Sequence, residues 1–98
     1  LDVPEALFAP VHDLILLMNE RLWLGHFILG EEERTPMFRY TLLLRGLEQA
    51  TGAQLEDLIE TAISECDRIF PAIQFILKDG KSAEDAFNSA ILETAGEA

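Results

Sequence analysis

Apolar residues crowd the segment between residues 3 and 29 and leave only a few polar positions among them. Their spacing predicts one long helix that tolerates Pro4 in its first turn and ends near Gly30. The apolar residues occupy more than one side of this helix. In a chain of this size, such a helix must be wrapped by its neighbours or must bury a second face against another chain.

A second helix is predicted over residues 36–50. Thr35 supplies its N-cap, Pro36 takes the favoured first helical position, and Gly52 marks its C-terminal stop. An acidic segment at residues 30–34 connects it to the first helix. No segment of the chain shows the alternation that predicts a β-strand.

The third predicted helix has the cleanest pattern, because one apolar stripe keeps its phase over residues 55–77. The stripe continues across Pro71, which predicts a kink at a solvent-facing proline, with a break in the helix as the alternative. Residues 79–80 end this helix, and Ser82 caps a short fourth one. We therefore predict an all-α fold, a small antiparallel bundle of about four helices that forms a single domain over residues 1–98.

The chain is strongly acidic, with 18 Asp and Glu residues against seven Lys and Arg residues and a formal net charge of −11. Residues 53–98 hold ten of the acids and three of the bases. Such a surface repels phosphate backbones and anionic lipid headgroups, so neither a nucleic acid nor a membrane is an expected partner. The longest apolar run has five residues, which is too short to span a bilayer. The excess of acidic residues either attracts a basic partner or only keeps the exposed faces of the helices hydrated.

Cys66 is the only cysteine of the chain, so no internal disulfide can form, and we expect a cytoplasmic protein. This residue falls on the apolar stripe of the third helix. Because reactive thiols need exposure and nearby positive charge, we expect Cys66 to be a buried structural thiol.

One side of the first predicted helix mixes large apolar residues with hydrogen-bonding groups. Interfaces are enriched in aromatic residues, whereas cores rarely collect two histidines and an asparagine on one edge. We interpret this side as a dimer or partner face with Trp23 as its anchor; the alternative is that it forms only the rim of the core. With two residues of the second helix that extend the patch, the predicted partner-binding set is His12, Leu16, Asn19, Trp23, His26, Phe27, Phe38 and Leu42.

No catalytic, metal-binding or cofactor motif stands out in the sequence. His12 and His26 lie 14 residues apart, about 21 Å along a helix, so they cannot share an ion within one chain. Glu56, Glu60 and Asp67 share one face of the third helix, but carboxylates need an enclosed pocket for catalysis and this face should be solvated. We therefore expect no metal and no cofactor.

Three functions fit these patterns. The first is a non-enzymatic, self-associating module, most simply a dimer, that works by binding another protein. The second is a small acidic inhibitor or chaperone, similar to antitoxins or secretion chaperones, that binds a basic partner protein through the acids of residues 53–98. The third is a small-ligand or enzymatic role in which His12 or His26 acts as a base.

Overall fold

The computed structural model describes the backbone of residues 2–97 and the side chains of residues 2–91. The chain is mostly helical, with a small antiparallel sheet of two strands between the first and second α-helices. In chain order, the elements are a 3-10 turn at Glu5–Leu7, α1 at Phe8–Arg21, β1 at His26–Leu29, β2 at Pro36–Arg39, α2 at Gly52–Asp79 and α3 at Ala83–Glu97. No helix in this described part is long and apolar enough to cross a membrane.

The first helix ends at Arg21, so the prediction of one helix over residues 3–29 is wrong beyond that point. The backbone turns at Gly25, which has a φ of +74°, a left-handed conformation that favours glycine. A Cβ atom at this position would meet the ring of Phe38 and would lie 2.8 Å from the carbonyl oxygen of Arg39. The helix itself ends where Leu22 adopts an extended backbone, and Gly25 lets the second strand approach closely.

The predicted second helix is also wrong, because residues 36–39 form β2 and residues 40–51 contain neither helix nor strand. A turn joins the two strands, and in it the backbone N–H of Arg34 donates to the carbonyl of Gly30 at 2.9 Å. The strands pair in antiparallel register, with Phe27 opposite Phe38. A mostly helical class is confirmed, but the purely all-α bundle of about four helices is not.

The last two helices follow the sequence prediction. Thr51 and Gln54 form a capping box at the start of α2, and Gly80 ends that helix in the left-handed conformation. The helix runs through Pro71 without a break, and this proline is half-buried rather than fully exposed to solvent. The hydroxyl of Ser82 accepts a hydrogen bond from the backbone N–H of Asp85 at 3.2 Å, as expected of an N-cap.

The core lies between α1, the second half of α2, the start of α3 and the inner side of β1. Every apolar residue of α1 that is buried points toward this core, and α1 packs against α2, α3 and β1. The small residues of α3 allow it to approach closely. The buried set is Val3, Val11, Leu14, Ile15, Met18, Phe27, Leu29, Ile69, Ala72, Ile73, Ile76, Ala83, Ala86 and Ala90.

The side chain of Asn19, on α1, forms two hydrogen bonds with the backbone of β1. Its amide nitrogen donates to the carbonyl oxygen of Phe27 at 3.0 Å, and its amide oxygen accepts from the N–H of Phe27 at 2.7 Å. Because both backbone groups of Phe27 bond to Asn19, the Phe27–Phe38 pair is the non-hydrogen-bonded kind, in which side chains come closest. The two rings meet edge to face with centroids 5.2 Å apart.

Replacing this asparagine tests its structural role. We expect Asn19→Ala to lower the free energy of unfolding by about 2 kcal/mol, since it removes two hydrogen bonds and leaves two backbone groups of β1 unpaired. Urea unfolding followed by circular dichroism measures the change. Asn88→Ala, at an exposed position of α3, is the matched control and should change stability by less than about 0.5 kcal/mol. Equal stability of the two variants would contradict this role.

Candidate interaction surface

An apolar stripe on the first part of α2 is exposed to solvent. Leu55, Ile59, Ile63 and Phe70 are 46%, 56%, 57% and 51% exposed, although side chains of this kind are usually buried. Their spacing of four, four and seven residues places them on one side of the helix. Cys66 lies between the last two and is also exposed. We call these five residues the α2 stripe.

The α2 stripe is exposed because the core reaches only the second half of the helix. All buried residues of α2 lie between Ile69 and Ile76. The helix has 28 residues and is about 42 Å long. Of the apolar stripe predicted over residues 55–77, only the part from Ile69 onward contains fully buried residues.

A row of carboxylates borders the α2 stripe on one edge. Glu56, Glu60 and Asp67 are all exposed, and at about 100° per residue they fall on the same flank. None of them forms an ion pair within the described residues. We call these three residues the acidic row; its negative charge has no basic neighbour on α2 before Arg68.

The nearest basic side chain of α2 already has a partner. A guanidinium nitrogen (Nη1) of Arg68 donates to both carboxylate oxygens of Glu65, at 2.9 and 3.2 Å. The Arg68 Nε is buried and has no hydrogen-bond partner among the described residues. The charge of Arg68 is therefore largely compensated by Glu65 and does not neutralise the acidic row.

The α2 stripe continues into an open cleft beside the sheet. The cleft has a volume of about 140 Å³ and lies between the helix and the start of β2. Its walls are almost entirely apolar. They are formed by Phe27, Thr35, Pro36, Cys66, Ile69, Phe70 and Ile73. An apolar side chain of a partner could enter this cleft at the Phe70 end of the stripe.

Cys66 is exposed, so the prediction of a buried structural thiol is wrong. Partial burial of the sulfur raises the pKa of this thiol, and the negative charges of Asp67 and Glu65 raise it further. The thiol therefore stays protonated at neutral pH, which is the opposite of an activated nucleophile.

The predicted partner face of the first helix is not one continuous helical surface. His12 and Leu16 lie on α1 and are exposed, Leu16 by 64%. Asn19 points toward β1 and bonds to its backbone. Trp23 lies in the turn after α1 and is 88% exposed, so it is free to contact another molecule.

The remaining members of that predicted set belong to the sheet or to the segment after it. Phe27 is 2% exposed and sits in the core, and Phe38 packs against it, half-buried. Leu42 is half-buried in the irregular segment after β2. Phe27 is therefore unavailable to a partner in this fold. Its placement on the first helix is wrong because that helix ends at Arg21, and the placement of Phe38 and Leu42 on a second helix is wrong because residues 36–51 form no helix.

The histidines do not form a site with other titratable groups. His12 contacts the edge of the Phe8 ring, with centroids 6.0 Å apart, and His26 stands opposite Arg39 in the sheet. Both are exposed. Within the described residues, no three His, Cys, Asp or Glu side chains are grouped so that they could hold a metal ion.

A known protein family matches most of the chain. The family model YbjN, described as "Putative bacterial sensory transduction regulator", matches residues 1–75 of the 98. The matched segment includes α1, the sheet and the whole α2 stripe. Searches of curated proteins and of solved structures returned no match.

The rate at which Cys66 is alkylated tests the electrostatics of the stripe. We expect iodoacetamide to react more slowly at pH 8 than with free cysteine, because the raised pKa leaves less thiolate. Asp67→Asn removes one negative neighbour, lowers the pKa and should raise the rate roughly twofold, with the difference vanishing at high pH. Glu60→Gln, which is not among the causes of the raised pKa, is the control. Identical rates for both variants would rule out the proposed effect of Asp67.

Proposed function

The chain belongs to the YbjN family, and from this membership and the exposed α2 stripe we propose that it is a small, non-enzymatic regulatory protein that acts by binding another protein. The family is described as a regulator of sensory transduction rather than as an enzyme. A cytoplasmic location and a single domain over residues 1–98 are part of this proposal. The lone Cys66, with no disulfide, suits a reducing compartment.

The single observation that carries the proposal is the exposure of four large apolar residues along one side of a regular helix. Scattered apolar residues on a surface need no explanation, but a contiguous apolar stripe bordered by charges is typical of a protein interface. A rigid helix also presents its side chains in a fixed spacing, which reduces the entropy lost on binding. The α2 stripe therefore has the form of a docking face.

Charge introduced into the α2 stripe tests this proposal. The double variant Ile59→Asp, Ile63→Asp should lose the proteins that the wild-type chain retains from an extract of its own cells, measured by quantitative mass spectrometry. Ala53→Asp adds a carboxylate to the same helix outside the stripe and should retain them. Circular dichroism checks that each variant is folded. Retention of the same proteins by the double variant would refute the docking role.

Self-association is a second proposal, and a separate surface favours it. The indole of Trp23 is 88% exposed in the turn after α1, which is unusual for tryptophan, and Leu16 is exposed on α1 itself. Aromatic residues at such positions anchor many interfaces. We propose that this end of α1 contacts a second copy of the chain, giving a dimer.

Light scattering across a dilution series tests the dimer. We expect a molar mass near twice that of one chain, and Trp23→Ala should weaken the association by more than about 1 kcal/mol. Leu43→Ala, at another apolar residue with 82% exposure, is the control and should not change the mass. An unchanged dimer in Trp23→Ala, or a monomeric wild type at all concentrations, would contradict the assigned role.

A further inference from the structure

We propose that the α2 stripe binds an amphipathic helix of a partner protein, and that the partner carries lysine or arginine along the edge that meets the acidic row. This inference rests on the proposed function and adds the chemistry of the partner. Its basis is the juxtaposition of an exposed apolar stripe with three unpaired carboxylates on one flank of the same helix.

The dimensions of the stripe set the length of the partner segment. Leu55 and Phe70 are 15 residues apart, about 22 Å along the helix axis. A partner helix of about four turns covers this distance, with apolar residues at intervals of three and four. One large side chain at its end would fill the open cleft between α2 and the start of β2.

The acidic row determines the sign of the partner's charge. Glu56, Glu60 and Asp67 lie at the rim, where an approaching helix would place its flanking side chains. Basic groups there gain attraction from three carboxylates that have no other ion pair among the described residues. Acidic groups at the same positions would be repelled by them and by the net charge of −11.

A second copy of this chain fits the α2 stripe less well. When two identical helices pair antiparallel about a two-fold axis, like edges face each other, so the acidic row of one copy would meet the acidic row of the other. Each copy would bring three carboxylates to that contact, and none of them has an ion-pair partner in the part of the chain whose side chains are described. Charge complementarity therefore favours a basic helix over a second α2.

Three synthetic peptides of equal length serve as probes. Each has 15 residues, with leucine on one face at intervals of three and four, and the flanking positions are all lysine, all glutamine or all glutamate. Fluorescence anisotropy of labelled peptides measures binding to the full chain. We expect the lysine peptide to bind about tenfold more tightly than the glutamine peptide, the glutamate peptide not to bind, and the lysine peptide to weaken steeply with salt.

Two triple variants of the chain distinguish the effect of the acidic row on peptide binding from the effect of the net charge. Glu56→Gln, Glu60→Gln, Asp67→Asn should weaken the lysine peptide about tenfold and flatten its salt dependence. The matched control Glu20→Gln, Glu31→Gln, Glu32→Gln removes the same three charges from exposed positions outside α2. It should weaken binding less than about twofold.

The apolar part of the proposal has its own variant. Ile59→Ser, Ile63→Ser should weaken the lysine and glutamine peptides alike, because both rely on the same apolar contact. If the acidic-row variant and its matched control lost the same affinity for the lysine peptide, the proposal would be overturned, since the attraction would then come from the net charge and not from the acidic row.

Equal affinity for the lysine and glutamine peptides would also overturn the proposed partner chemistry, while leaving the docking role of the α2 stripe intact. A dimer that Ile59→Ser, Ile63→Ser dissociates would overturn it as well, since a second copy would then occupy the stripe. If no peptide binds and the extract experiment also fails, both this inference and the proposed function are wrong.

Discussion

The length of α2 is the constraint on which the rest of the structure depends. A helix of 28 residues extends about 42 Å, but α1, α3 and the two-stranded sheet are too small to cover all of it. The core gathers around the second half, where Ile69, Ile73 and Ile76 are buried. The first half extends beyond the core with its apolar side uncovered. Because the second half of α2 packs in the core and the first half keeps exposed apolar residues, the helix can present an ordered apolar face without any rearrangement of the core.

The sheet contributes to that face through a single polar side chain. Asn19 holds Phe27 by both of its backbone groups, and Phe38 packs edge to face on the ring of Phe27. This arrangement fixes the hairpin against α1, so the start of β2 forms one wall of the cleft beside Phe70. Asn19, which was predicted to belong to a partner-binding face, thus acts inside the chain, where it positions the sheet.

The sequence predicts α2 and α3 well, extends the first helix too far and misses the sheet, for physical reasons that individual residues make clear. The apolar period of α2, the Gly80 terminus and the Ser82 cap are local signals, and the structure has all three. The strands have four residues each, too few for alternation to stand out from an apolar run. Their position depends on tertiary contacts that a local pattern does not show, since Asn19 bonds to the backbone of Phe27 and Phe38 packs on the ring of Phe27. Gly25, followed by two short apolar runs around the turn at residues 30–34, was the available hairpin signal.

The apolar pattern of the α2 stripe was present in the sequence, but periodicity could not show that the stripe is exposed. A stripe at helical spacing shows that a side of the helix avoids water; it does not show whether the chain itself or another molecule covers that side. Here Leu55, Ile59, Ile63 and Phe70 remain exposed, and the charges along the edge of the stripe indicate which kind of molecule could cover it. Apolar contacts supply affinity for almost any amphipathic helix, whereas carboxylates along one flank discriminate between partners by repelling most of them. In a chain with so few bases, a partner docked on the α2 stripe as proposed would be selected by the acidic row.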